Sequence, residues 1–176
     1  MLIPQDVLAK LDKRDPADVS EIFIHHSAWP PTLDITKMWR PDTDEICVPY
    51  NAYVKKVSTG IWVVQIGRPA AYVPAAQFGM NPAGYSICVG GDYQDTPGDE
   101  VESAALLAVY AHIMAVITGP CPNVQYLLGH RDVAPILQQV GKNPSDYSTL
   151  CPGDRLYAHL PTLRDQTGLL NYPTLQ

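Results

Sequence analysis

The chain has 176 residues, with 12 Lys and Arg against 18 Asp and Glu, for a formal net charge of −6. Apolar residues make up 46% and charged residues 17%, a globular balance that excludes a disordered chain and fits one domain with a real core. The acidic excess excludes a basic nucleic-acid-binding stripe, and no apolar run is long enough to span a membrane.

Residues 5–14 read as a short surface helix ending before Pro16. The N-terminus has no basic segment followed by an apolar one, so no cleaved signal is expected. Glu21-Ile22-Phe23-Ile24-His25 is a β-rich apolar run that predicts a buried strand, running out in His26-Ser27 before Pro30-Pro31. Asp34–Arg40 predicts one or two helical turns closed by Pro41. Ala52–Lys56 and Ile61–Ile66 predict two strands joined through Ser58-Thr59-Gly60 as a hairpin. Tyr85–Val89 predicts another buried strand, halted by Gly90-Gly91.

Thr96-Pro97-Gly98-Asp99 carries an N-cap Thr, a Pro at the first helical position and an acid in the first turn. It predicts the start of a long helix through the apolar run Val101–Ile117, ended by Gly119-Pro120. Gln125–Leu128 predicts a short strand emerging at Gly129-His130. A last helix is expected over about Asp154–Arg164, bent or ended by Pro161. Strands and helices interleave, which predicts an α/β class with a mixed central sheet flanked by helices.

Five histidines and four cysteines narrow the search for chemistry. His25 and His130 both stand just beyond short apolar strands. If those strands are neighbours in one sheet, both imidazoles emerge at the same edge. Cys151 lies in the turn-like stretch Thr149-Leu150-Cys151-Pro152-Gly153. Two imidazoles and a thiolate with a fourth position open is a known catalytic zinc arrangement. Spacing alone leaves the plainer reading open, since a histidine at a strand end is more often a satisfied structural residue. His26 reads as an orienting or packing residue, His112 as packing inside the long helix, and His159 as surface. Arg131-Asp132 reads either as a brace for His130 or as a local turn pair. Cys88 reads as strand core, Cys47 and Cys121 have no assigned role, and Trp29, Trp39 and Trp62 read as core or rim packing.

Four ordered segments resemble a known family: Ile22-Phe23-Ile24-His25-His26-Ser27-Ala28, Val48-Pro49-Tyr50-Asn51-Ala52-Tyr53-Val54, Gly129-His130-Arg131-Asp132-Val133-Ala134-Pro135 and Thr149-Leu150-Cys151-Pro152-Gly153-Asp154-Arg155-Leu156-Tyr157. Together with Asn81 and Tyr85–Gly91, they resemble the zinc-dependent N-acetylmuramoyl-L-alanine amidases shared by phage endolysins and peptidoglycan recognition proteins. The resemblance spans roughly residues 20–160. It implies one catalytic domain over 1–176, with 1–19 as an extension and 161–176 as a tail, and a single-domain amidase-like fold. It implies one zinc ion per chain held by His25, His130 and Cys151, with Tyr50 and Thr149 as catalytic residues beside it. Thr149 holds a position occupied by Lys or Thr in active members, and resembles the recognition-protein branch there.

The implied activity is hydrolysis of the bond between N-acetylmuramic acid and L-alanine in peptidoglycan, by a monomer acting without nucleic acid or membrane partners. Without a signal segment, the expected setting is a phage-type lysin made in the cytoplasm and released to the wall, or a cytoplasmic recycling enzyme. A non-catalytic peptidoglycan-binding module on the same fold, or an amidase acting on soluble muropeptides, are the alternative expectations. Three departures stand out. His130 and Cys151 are separated by an unusually long stretch, expected to be a loop over or beside the cleft. The segment between Ala28 and Tyr50 is short of the long helix many relatives have, and a family histidine that would fall near Ala76 is missing.

Overall fold

A computed structural model describes residues 3–38, 48–94 and 99–173. Five strands form one sheet: β1 (Glu21–His26), β2 (Ala52–Ser58), β3 (Ile61–Ile66), β4 (Gly84–Val89) and β5 (Tyr126–Gly129), in the order β3-β2-β4-β1-β5. β1 pairs in parallel with β4 and with β5, and β2 in parallel with β4. The expected hairpin closes β2 against β3 antiparallel, through Thr59 and a Gly60 whose φ of +70° suits glycine. The sheet is therefore mixed, as the interleaved pattern predicts.

All six residues of β1 and of β4 are buried, as expected for parallel strands covered on both faces. On one face Ile22 and Ile24 join Ile87, Val89 and Val54 against helix α2 (Ser103–Ile117), through Val109 and Ile113. Leu160 and Leu163 of the last helix close the same cluster. On the other face Phe23 and Leu128 pack on Val133 and Ile136. Beside them, Tyr53 and Cys88 pack on Ile35 and on Val7 and Leu8 of helix α1 (Gln5–Leu8). Among the described residues no helix is long and apolar enough to cross a membrane.

Four local expectations are corrected. The N-terminal helix stops at Leu8 rather than running to residue 14, because the following chain is drawn elsewhere. Lys13 bridges Tyr72, and the Arg14 guanidinium donates to the carbonyls of Ala70, Asn81, Pro82 and Gly84. α2 begins at Ser103; the expected cap Thr96 lies outside the described residues, and Asp99 sits outside the helix, tied to the Asp92 backbone. Glu102 stands at the helix start without capping it. Its carboxylate instead holds Lys56 and the Trp62 indole of the hairpin. The long stretch after His130 is helical in part, with α3 (Val133–Gln139) and a 3-10 turn at Pro144–Asp146, since Val133 and Ile136 find a core to bury against. Finally, α4 (Asp154–Tyr157) and α5 (Leu160–Thr167) are separate, and Pro161 opens α5, where its missing N–H costs nothing. Between Ala28 and Tyr50 a single 3-10 turn, Ile35–Met38, is present among the described residues.

Asn51 joins the hairpin to the sheet centre. Fully buried, it accepts from the Ser86 N–H at 3.0 Å and donates to the Arg68 carbonyl at 2.9 Å. Asn51→Ala leaves both backbone groups without that partner, at about 1–3 kcal/mol per orphaned group. A fall in the unfolding free energy of that size, read from urea unfolding, is expected; an unchanged midpoint would show that other groups satisfy them.

Candidate metal centre

Because β1 and β5 run parallel and their pairing ends with Ile24 opposite Gly129, the residues that follow these two come out side by side at one edge of the sheet, the first of them still paired to β4. Those residues are His25 and His130, whose rings lie 4.6 Å apart between centroids. His25 points to the same face as Phe23, by the alternation of the strand. His130 opens a 3-10 turn, His130–Asp132, that leads into α3. The turn is fixed by Asp132, whose buried carboxylate accepts from the Gly129 N–H at 2.8 Å and from the Tyr157 hydroxyl at 2.6 Å.

Cys151 comes to these histidines from the far side of the 131–150 stretch. Its carbonyl accepts from the Arg131 N–H at 2.8 Å, and its own N–H donates to the Thr149 hydroxyl at 3.2 Å. Its Sγ accepts from the His26 N–H at 3.4 Å and lies 3.7 Å from His25 Nδ1. The turn beyond it passes so close to Tyr93 that a Cβ on Gly153 would sit 2.3 Å from the Tyr93 backbone, which leaves room only for glycine. Arg131 ties the same turn down through Asp154 and the Leu150 carbonyl, with its guanidinium 4.7 Å above the Tyr157 ring.

One donor atom from each of His25, His130 and Cys151 falls within 4.8 Å of the others. Zn–N and Zn–S bonds of tetrahedral sites place their donors roughly 3.4–3.6 Å apart, close to the 3.7 Å between Nδ1 and Sγ. That pair already stands at tetrahedral spacing, and a small cation would draw in His130, whose donor lies within 4.8 Å of both. Its electrostatics suit one too. Burial, then the neighbouring imidazole of His130, push His25 well below the ordinary histidine range. Burial, then His26, take His130 down to about 4, and burial pushes the Cys151 thiol up to about 12. At neutral pH both imidazoles thus offer free lone pairs, and the thiol keeps its proton until a cation displaces it.

The remaining predicted residues take distinct places. The Tyr50 ring lies 5.2 Å from the His25 ring, and its phenol, raised well above the usual tyrosine value by burial and then by the neighbouring Cys88, packs with the Cys88 cluster. Thr149 supports Cys151 from behind. His26 faces the opposite side of β1, where Nδ1 accepts from the Tyr93 N–H at 3.2 Å, so its ring is outside the trio while its backbone serves it. His112 accepts or donates at 3.0 Å to the Tyr85 hydroxyl, and burial takes it down to about 4. His159 is half-buried at the start of α5 rather than on the open surface. Trp62 packs on the core, Trp29 is largely exposed, and Trp39 and Cys47 lie outside the described residues. One residue near the trio carries no sequence signal: the wholly buried Gln77, which contacts the His25 side chain.

The fold has solved counterparts. The N-acetylmuramoyl-L-alanine amidase LysC from Clostridium intestinale URNW superposes with a TM-score of 0.69 at 17% identity, over 90% of this chain and 91% of that one. This chain has the fold of an N-acetylmuramoyl-L-alanine amidase. The same fold occurs in the Ph2119 endolysin from Thermus scotoductus MAT2119 bacteriophage Ph2119, at a TM-score of 0.63 and 16% identity over 93% and 92% of the two chains. It also occurs in the ectodomain complex of peptidoglycan recognition proteins LCa and LCx bound to tracheal cytotoxin, at 0.63 and 18% over 84% and 83%. No family model and no curated protein sequence matches the chain. Enzymes and recognition proteins thus share this amidase fold, and the donor trio lies at its parallel-strand edge.

His112 lies outside the trio and permits a clean pH test. Its folded-state value is below the ordinary 6.5, so the unfolded chain takes up a proton first as pH falls. The stability it confers is complete above about pH 6.5 and is lost progressively toward pH 4. For metal-free protein, urea unfolding at pH 7 and pH 5 should differ by about 1 kcal/mol per pH unit for each such imidazole. In His112→Gln the slope should be shallower; an identical slope would remove His112 from the account.

Proposed function

We propose that this protein is a zinc-dependent N-acetylmuramoyl-L-alanine amidase that cleaves peptidoglycan between the muramic acid lactyl group and L-alanine. The observation that carries the reading is the convergence of His25, His130 and Cys151 into one neutral donor set, on a fold that an amidase and an endolysin share. The catalytic unit is the single domain with its core over about residues 20–160, and its setting is that of a lysin that meets the wall after release.

An amide is a poor electrophile and neutral water a poor nucleophile. Zinc held by these donors would supply a Lewis acid for the carbonyl and a water with a pKa near ~7. The chain itself does the rest. Its two imidazoles stay unprotonated at working pH, and Cys151 surrenders its proton to accept the cation. Tyr50 retains its phenolic proton, because burial holds its pKa well above the usual range. It can therefore donate to the oxygen that gains charge as the amide carbon is attacked. The Thr149 hydroxyl accepts from the Cys151 N–H and keeps its own proton free to give. A well-placed donor of this kind contributes roughly 3–4 kcal/mol to the transition state.

Purified protein should carry about one zinc per chain and release new L-alanine amino termini from peptidoglycan, a release abolished by chelation. Cys151→Ser should remain folded yet lose most of its zinc and all measurable release. Unchanged turnover would remove Cys151 from the site. Tyr50→Phe should keep its zinc and slow turnover by about 10²-fold or more; an unaltered rate would leave Tyr50 as packing. Zinc without released amines would instead favour a recognition module, as in the tracheal cytotoxin complex of the same fold.

A further inference from the structure

Gln77 lies in the irregular segment between β3 and β4, yet it is wholly buried. Burying a carboxamide is costly unless its atoms are hydrogen-bonded, so its position calls for a physical reason. The backbone around it is firmly held. The N–H groups of Ala76 and Gln77 both donate to Asn81 Oδ1, at 3.1 and 2.9 Å, and the Ala75 N–H donates to the Pro49 carbonyl at 2.8 Å. The side chain then reaches across β4. Its Oε1 accepts from the Ser86 hydroxyl, and its Nε2 lies over Gly84, 2.3 Å from where a Cβ would stand. Gly84 therefore makes the room this amide occupies.

Strand register puts the amide oxygen beside the candidate metal centre. Ser86 is opposite Phe23, and the next pair on that face is Cys88 opposite His25. His25 turns Nδ1 toward Cys151 and leaves Nε2 buried without a closed hydrogen bond. If Nδ1 gives its lone pair to a metal, the single proton of the neutral ring must sit on Nε2. A buried N–H left unmet costs about 1–3 kcal/mol. The Gln77 amide lies on this same face of β1 and β4, its Oε1 held at Ser86 one register pair from His25, with no closed hydrogen bond to the ring. Its Oε1 has two lone pairs, and Ser86 uses one.

We infer that Gln77 is the positioning residue of the metal centre, its Oε1 accepting the His25 Nε2–H and thereby fixing the tautomer and ring orientation that present Nδ1 to the ion. This rests on the zinc reading above and extends it beyond the three donors. The unmatched position near Ala76 is then adjacent to a residue that acts through the ligand rather than on the substrate.

The test uses whole protein, with zinc affinity read by chelator competition and histidine tautomers by ¹⁵N NMR. In zinc-loaded wild type, His25 should give a slowly exchanging Nε2–H signal. Gln77→Leu should lose that signal and bind zinc about 10–100-fold more weakly, and Gln77→Glu, which keeps an acceptor, should recover most of the affinity. A folded Gln77→Leu with wild-type affinity and an unchanged His25 signal would overturn the inference. Should Gln77→Leu fail to fold, the wild-type spectrum decides: an Nδ1–H tautomer at His25 would overturn it. If wild type takes up no zinc, the zinc reading itself fails, and the His25 tautomer of the metal-free protein still tests the Gln77 contact.

Discussion

β1 runs parallel to both of its neighbours, so the C-terminal ends of β4, β1 and β5 all lie at one edge of the sheet. That shared direction brings two histidines more than a hundred residues apart in sequence to ring contact. It also obliges the third donor to come from elsewhere. Cys151 arrives on a turn that no sheet ladder supports, and its position depends on backbone bonds to Arg131, Thr149 and His26. One donor is thus fixed within a strand, one at the turn that follows a strand, and the third by a turn held through Arg131 and packed on Tyr93.

The irregular segments around the site raise a different problem, since carbonyls outside helices and strands need donors when buried. Long cationic side chains meet that need. Arg14 serves four carbonyls across residues 70–84, and Arg68 serves those of Val48 and Val73. Together with Asn51 they lash the 67–83 segment onto the sheet. A rigid 67–83 segment is in turn what allows Gln77 to be buried at a defined place beneath His25.

Much of this was legible in the chain. The strands announced themselves by short apolar runs ending in glycine, proline or histidine, and the order of four short segments pointed to the fold that LysC shares. The failures have physical causes. Thr96-Pro97-Gly98-Asp99 has the composition of a helix start, but Asp99 is claimed by Asp92 and the helix waits until Ser103. The stretch after His130 looked like an insertion loop because it is long and carries Gly141-Lys142-Asn143-Pro144-Ser145. Its Val133 and Ile136 nevertheless have a sheet face to cover, and tertiary burial outweighs punctuation. Gln77 was invisible for a simpler reason. A glutamine between Ala76 and Phe78 has no periodicity or spacing to mark it, and only folding of the segment over Gly84 gives it a partner.

The electrical state of the trio links stability to the proposed chemistry. With the ring nitrogens unprotonated and the thiol protonated, the metal-free site buries no net charge and avoids the desolvation that charged donors would suffer. Under zinc occupancy the thiolate cancels only half of the dication, and no carboxylate stands among the donors to cancel the rest. The centre would then keep a net positive charge inside a poorly solvated edge, with the Arg131 guanidinium close behind Cys151 and already committed to Asp154 and Tyr157. Such a field favours an oxygen that gains negative charge over one that merely carries a dipole, which is the differential a hydrolase needs. A module that only binds its ligand would gain nothing from that differential, so the charge of the occupied centre is the property on which turnover and recognition would differ on this fold.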